Sequence, residues 1–297
     1  MSAAVPGIRD RLGRVSNSGS ALILPLVLFD LVVFVVPFGY LLRIALTERS
    51  STAQYNEGTW SIDGFGYVLT EQTLTGAFLF TLGFAVLVTV ISVAVSTMYA
   101  YAIWRADGLL RVTLLVGVLM SMFTAIVVKL FAAILVFSPN GVLNTTLIAS
   151  GAITEPIALV NNLSGAVIGQ LYIVVPYTIL AVYSVLSTID ESLIEAGRDL
   201  GAGPVRTFRE VVVPHTVPGM LVGGVISFTW SVGSYAAPLL LGSGAERTVG
   251  VAVADLLLRR FDWAAAASLG VLVTVTVFVA LAVAYIAVGR TRGATNE

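Results

Sequence analysis

The sequence predicts an all-α membrane protein with six transmembrane helices, and three observations carry that prediction. Hydrophobic residues make up 57% of the 297 and charged ones only 11%, against about 45–50% and about 25% in a soluble domain. Apolar runs of about 20 residues, the length that crosses a hydrocarbon core of about 30 Å, recur along the chain. Between the fourth and fifth runs lies the most informative polar interruption, Thr188 to Gly219, which has the pattern of two short helices joined by a tight corner.

Composition also narrows the chemistry. Cysteine is absent, so there is no disulfide framework and no thiol chemistry. A single histidine argues against a protein-built zinc site. A net charge of −1 gives no case for nucleic acid as a partner. Lys129 is the one lysine and does not follow a glycine, which rules out the GxxxxGK[ST] phosphate loop. ATP hydrolysis, if the protein depends on it, belongs to another subunit.

In chain order, residues 1–20 carry Arg9, Arg11 and Arg14 and read as a cytoplasmic tail. Residues 21–290 form the membrane domain, and 291–297 a second tail. The first span covers about Ala21 to Leu46, with Pro25 and Pro37 near its ends; it is too long for a signal-peptide core. Ser50 to Gly76 is an external segment holding Tyr55, Trp60 and Tyr67. The second span covers about Ala77 to Ile103, with Trp104 as interfacial anchor. The third, about Val112 to Phe137, carries Lys129. Val142 to Ile153 is apolar but too short to cross, and reads as an external or re-entrant piece. The fourth span, about Ala166 to Leu186, is kinked by Pro176. The fifth covers about Val217 to Leu241 and the sixth about Ala264 to Val288, with a short apolar stretch, Val249 to Leu258, between them.

Six spans put both termini on one side. The segments sharing that side hold Arg9, Arg11, Arg14, Arg105, Arg111, Arg198, Arg206, Arg209, Arg290 and Arg292. The opposite segments hold Arg43, Arg49, Arg247, Arg259 and Arg260, the last pair flanked by Asp255 and Asp262. The excess places both termini and the helix pair in the cytoplasm.

In the helix pair, Thr188 and Glu191 make a capping box. Leu193, Ala196, Gly197 and Leu200 share one face at helical spacing. Gly201 and Gly203 suit the end of that helix and Pro204 the first turn of the next. The second helix puts Val205, Phe208 and Val212 on one side and is expected to end or kink near Pro214. Its apolar edge needs a partner surface.

The segment resembles the EAA loop of binding-protein-dependent ABC importer permeases, in which Glu-Ala-Ala is followed by Gly four residues on and by Ile-x-Leu-Pro. Glu195, Ala196, Gly201 and Pro214 stand at those spacings; Gly197, Val211 and Val213 replace Ala, Ile and Leu. Further stretches, FSPNGVLN from Phe137, EPIALV from Glu155, VPYTILAVYSVLSTID from Val175 and FDWAAAASL from Phe261, are most similar to the spermidine/putrescine branch. The resemblance implies the type I ABC importer permease fold, with a cytoplasmic coupling helix pair (about 188–216) between helices 4 and 5. It implies a plasma-membrane permease that is not itself an enzyme and binds no cofactor, ATP being held by a partner ATPase subunit. The further partners it implies are a second permease, different or a copy, and an extracytoplasmic solute-binding protein. Carried over, Glu195 pairs with a basic residue of the ATPase and Gly201 forms the bend. Leu193, Leu200, Val205 and Phe208 fill the ATPase cleft, with Ala196, Gly197 and Pro214 completing the motif.

Candidate path residues come from the spans. Lys129 and Asp30 are the deepest charges, and such groups face a polar interior because a lone charge at a helix centre costs about 2.5–3.5 kcal/mol. Lys129 either lines the path, pairs internally with Asp30, or snorkels to an interface. Gly219, Gly223, Ser227 and Ser231 recur every four residues, a face that permits close helix approach. Alternatively Ser227, Trp230, Ser231, Ser234 and Tyr235 line the substrate path, as in related permeases, with Gln170 and Tyr177 on the fourth span. The competing function is an ATP-independent secondary transporter or channel, for which the sequence lacks the inverted repeat with midplane charges.

Overall fold

The computed structural model describes residues 23–50, 54–189 and 203–293, and the described residues contain helices and no strand. α1 is Ile23–Ala45, α2 Asp63–Thr70, α3 Gln72–Arg105, α4 Gly108–Phe123, α5 Ile126–Phe137 and α6 Val142–Ala149. α7 is Leu163–Leu186. α8 is one continuous rod built of Pro204–Thr207, a π turn over Phe208–Val212, and Val213–Val232. Ala236–Leu241 is α9, Val249–Leu258 α10 and Trp263–Gly293 α11.

Six stretches are long and apolar enough to span a bilayer, and most large side chains on their outer faces are exposed apolar ones, as lipid contact requires. The third expected span differs. Instead of one helix from Val112 to Phe137, the chain breaks at Thr124–Ala125, where the backbone turns extended. Thr124 Oγ1 donates to Met120 O at 2.7 Å and so closes the end of α4. The helix expected to stop near Pro214 runs through it instead. A proline has no N–H to offer the preceding turn; the π turn ahead of it moves the ladder by one residue, with Val213 N–H donating to Phe208 O. The same device, a π turn over Leu31–Val35, stands before Pro37 in α1. The fifth span ends at Val232, short of the expected Leu241, because Gly233 caps it and α9 restarts at Ala236.

The centre is a three-helix unit of α3, α7 and α8. Gly219 and Gly223 lie against Ala181, Val182 and Thr178 of α7, and Ser227 and Ser231 continue the same fully buried stripe. Polar pins cross the unit: Ser92 Oγ donates to Thr178 Oγ1 at 3.1 Å, Ser96 Oγ to Val175 O at 3.3 Å. A second cluster gathers α2, α10 and the buried Ala265, Ala266 and Leu269 of α11. The residues of α1 from Ile23 to Tyr40 are exposed, and only its end at Ile44 and Ala45 packs on α11.

A Cβ on Gly223 would sit 2.7 Å from Thr178 Cγ2, whereas one on Gly224 makes only ordinary contacts, with Val93 Cγ2 at 3.6 Å and Thr89 Cγ2 at 3.7 Å. Gly223→Ala should therefore lose about 1–3 kcal/mol through overpacking. Gly224→Ala should be neutral or gain up to about 1 kcal/mol of helix propensity. Thermal unfolding of the two variants in detergent checks the contrast; equal shifts would refute the packing.

Candidate translocation path and coupling surface

Lys129 sits in the first turn of α5, only 6% exposed. Its ammonium donates to Tyr172 O of α7 at 3.5 Å. That carbonyl is free for a reason: the residue four positions on is Pro176, which brings no N–H to it. A proline in one span thus creates the acceptor that a lysine in another uses. Among the described residues Lys129 forms no salt bridge. Asp30 lies apart, exposed on α1, so the internal pair of Lys129 with Asp30 is not formed.

Three of the path candidates come together around Trp230. Gln170, fully buried, donates from Nε2 to Trp230 O at 3.3 Å. This carbonyl is one of the last four of α8, which have no intrahelical partner. Tyr177 stacks on the Trp230 ring with centroids 5.7 Å apart, and Trp230 keeps an exposed face. Among the described residues the hydroxyls of Ser227, Ser231 and Ser234 are buried with no hydrogen-bond partner; Ser227 and Ser231 continue at four-residue spacing the face on which Gly219 and Gly223 meet α7.

Tyr235 belongs to a different place, a cavity of about 650 Å³ lined also by Asn161, Glu246, Arg247, Asp255 and Arg259. Here the Arg259–Arg260 pair flanked by Asp255 and Asp262 becomes a charge cluster that also takes in Arg247 and Arg49. Asp255 accepts from Arg247 at 2.6 Å and Arg260 at 3.1 Å, with Arg259 at 3.8 Å. Its neighbour Asp262 instead takes Arg49 at 2.7 Å and caps α11 through Ala265 N–H. Burial pushes the Asp255 carboxyl up, but Arg247 and Arg260 more than offset this and hold it below the ordinary carboxylate range. The hydroxyl of Ser243 lowers Glu246 likewise. The flanking of Arg259 and Arg260 by Asp255 and Asp262 was the sequence signal; Arg49 lies too far along the chain to be paired by pattern.

On the other polar side, the start of α8 presents two faces. Val205 is 77% exposed, beside an exposed Arg206–Glu210 ion pair at 2.9 Å and exposed Arg209. Thr207 and Val212 point inward, and Phe208 meets the Tyr101 ring edge-on, with centroids 4.8 Å apart. Pro214 opens the α-helical stretch of α8. Leu193, Glu195, Ala196, Gly197, Leu200 and Gly201 lie outside the described residues.

Residues 101–293 match the family model of the binding-protein-dependent transport system inner membrane component. The chain belongs to this family. Among curated relatives, the spermidine/putrescine transport system permease protein PotB of Haemophilus influenzae is 29% identical over 195 residues, covering 64% of this chain and 68% of the relative. PotB of Escherichia coli is 26% identical over 197 residues, 66% and 72% of the two chains. The inner membrane ABC transporter permease YdcU of Escherichia coli is 32% identical over 174 residues, 54% and 56% of the two. The fold matches a crystal structure of a bacterial ABC transporter involved in the import of the acidic polysaccharide alginate, with a TM-score of 0.74 at 18% identity over 94% of this chain and 99% of that one. A second structure of a bacterial alginate transporter, in complex with an alginate pentasaccharide-bound periplasmic protein, gives 0.73 at 17% identity over 93% and 95%. The expected importer-permease fold and family are therefore established, and the protein is a multi-pass membrane permease of the ABC importer class.

In this permease Asp255→Asn should cost about 2 kcal/mol, the scale of hydrogen bonds to a charged group. Because its carboxyl titrates lower when folded than when unfolded, its contribution is complete above the unfolded value of about 3.9 and disappears as pH falls through the folded one. The gap in thermal unfolding between wild type and variant should hold from pH 7 down to the ordinary carboxylate range and narrow only at more acid pH; a gap that narrows already near neutral pH, or no gap at pH 7, would contradict the ion-pair assignment.

Proposed function

We propose that this chain is one of two permease subunits of an ABC importer that carries a small polar solute inward by alternating access. ATP is bound and hydrolysed by separate ATP-binding-cassette subunits, and an extracytoplasmic solute-binding protein delivers the cargo. Both termini and the 188–216 loop lie in the cytoplasm, as the arginine asymmetry supports. The second permease is a related chain or a copy.

The observation that carries the reading is the exposed outer face at the start of α8. Val205, 77% exposed, stands at the exit of a loop with the EAA spacing, and that spacing together with the exposure supports its being covered by an ATPase cleft. Glu195 supplies the charge to that partner, Gly201 the bend, and Leu193, Leu200 and Val205 the apolar contacts. Ala196, Gly197 and Pro214 complete the element.

The solute path runs from the charged cavity at Tyr235 past the exposed face of Trp230, where Tyr177 stacks and Gln170 holds the backbone, with Lys129 and Ser234 as further candidates along it. Spermidine and putrescine are the first solutes to test, because the PotB relatives carry those names and aromatic faces suit alkylammonium groups.

Reconstitution of the permease pair with its ATPase and binding protein in liposomes tests the reading. Uptake should require ATP, and Glu195→Ala should abolish binding-protein-stimulated hydrolysis, since truncating a buried interfacial charge costs about 2–5 kcal/mol, while the permease stays inserted. Uptake that survives without ATP but stops with the ion gradient would overturn it.

A further inference from the structure

The two described stems of the cytoplasmic loop, Ile189 on entry and Phe208 on exit, pack on one apolar cluster at the end of α3. It comprises Ala100, Ile103, Val182, Leu186 and Val212, with Tyr101 and Trp104 at its edge. Phe208 is the side chain that reaches across, its ring edge-on to Tyr101 at 4.8 Å, and Tyr101 in turn lies 6.0 Å from Trp104. Phe208 also opens the π turn that lets α8 run on through Pro214. The backbone there has one extra residue in its turn, so the ring stands at the point where the ladder changes register. Val205, three residues earlier, is 77% exposed, whereas Phe208 is partly buried in this cluster.

We infer that the start of α8 divides its labour between two faces: Val205 belongs to the surface that the ATPase grips, whereas Phe208 is a positioning residue that carries movement of the loop into α3 through Tyr101. This rests on the importer reading above and adds the residues by which the motion enters the bundle. Aromatic pairs suit the task because their edge-to-face contact has a preferred geometry and resists sliding. The other buried members of the cluster, Val212, Ile103 and Leu186 among them, are aliphatic and lack that directional preference.

The test uses the complete importer in liposomes, with three readouts: ATPase subunit retained on purification, basal hydrolysis, and hydrolysis stimulated by the loaded binding protein. Phe208→Ala should retain the ATPase subunit and basal hydrolysis, while the stimulated rate falls about tenfold, within the range seen when coupling residues are removed. Tyr101→Ala should do the same without touching the loop, and Tyr101→Phe, which keeps the ring, should behave as wild type. Val205→Asp should instead lose the ATPase subunit. Loss of the subunit in Phe208→Ala, or full stimulation in both Phe208→Ala and Tyr101→Ala, would overturn the inference. If Phe208→Ala fails to assemble, the Tyr101 pair of variants decides. A wild-type permease that recruits no ATPase subunit would instead overturn the importer reading itself, and this inference with it.

Discussion

A peptide group inside a bilayer has no water to turn to, so every N–H and C=O must be satisfied by the protein. That constraint shapes this bundle most visibly at its prolines. Pro37 and Pro214 are each preceded by a π turn that shifts the ladder. Pro176 leaves Tyr172 O to Lys129. Near Pro214 and Pro218 the side chains help as well: His215 Nδ1 donates to Val211 O at 2.7 Å, and Thr216 Oγ1 to Val212 O at 3.0 Å. Most of these repairs stay within their own helix, and the one at Pro176 ties α7 to α5 through Lys129. The repairs at Pro176 and Pro214 sit where the proposed path and the proposed coupling surface lie.

The tight apposition of α7 and α8 is the second consequence. Lipid gives no hydrophobic advantage to packing apolar helices together, so contact must come from close approach and polar pins. Gly219 and Gly223 let the two backbones meet, and the Thr178 hydroxyl, which donates to Val174 O within α7, lies 3.4 Å from Gly223 O across the contact. Gln170 reaches the carbonyl of Trp230 from the same side. A rigid pair of this kind transmits displacement from one end to the other, because packed interfaces switch between discrete arrangements and do not deform smoothly. The aromatic contact of Phe208 with Tyr101 places a third helix, α3, under the same control.

Much of this was legible in the residues. Apolar run length located the first, second, fourth and sixth spans and gave the right number, while the bounds of the third and fifth differ; the small-residue stripe could be read directly from spacing. The break at Thr124–Ala125 could not, since neither proline nor glycine marks it. The continuity of α8 through Pro214 was hidden because a π turn leaves no compositional trace. Lys129 could be singled out as a buried charge, but its acceptor is a backbone carbonyl, which no side-chain pattern reveals. Phe208 shared a helix face with Val205 at the ideal spacing of three, and the shift in register, together with the contact to Tyr101, separates the two in space. The Arg49–Asp262 pair joins residues 213 positions apart, beyond the reach of any local rule.

The central claim is a sided bundle whose cytosolic face is held by a separate motor. The chain has no cysteine, so single cysteines report on this directly through a membrane-impermeant maleimide. Val205→Cys should react only when the cytoplasmic side is opened, and lose reactivity when the ATPase subunit is assembled, whereas Ala245→Cys should react in intact cells. Labelling of Val205→Cys from outside, or labelling unaffected by the assembled ATPase, would contradict the account.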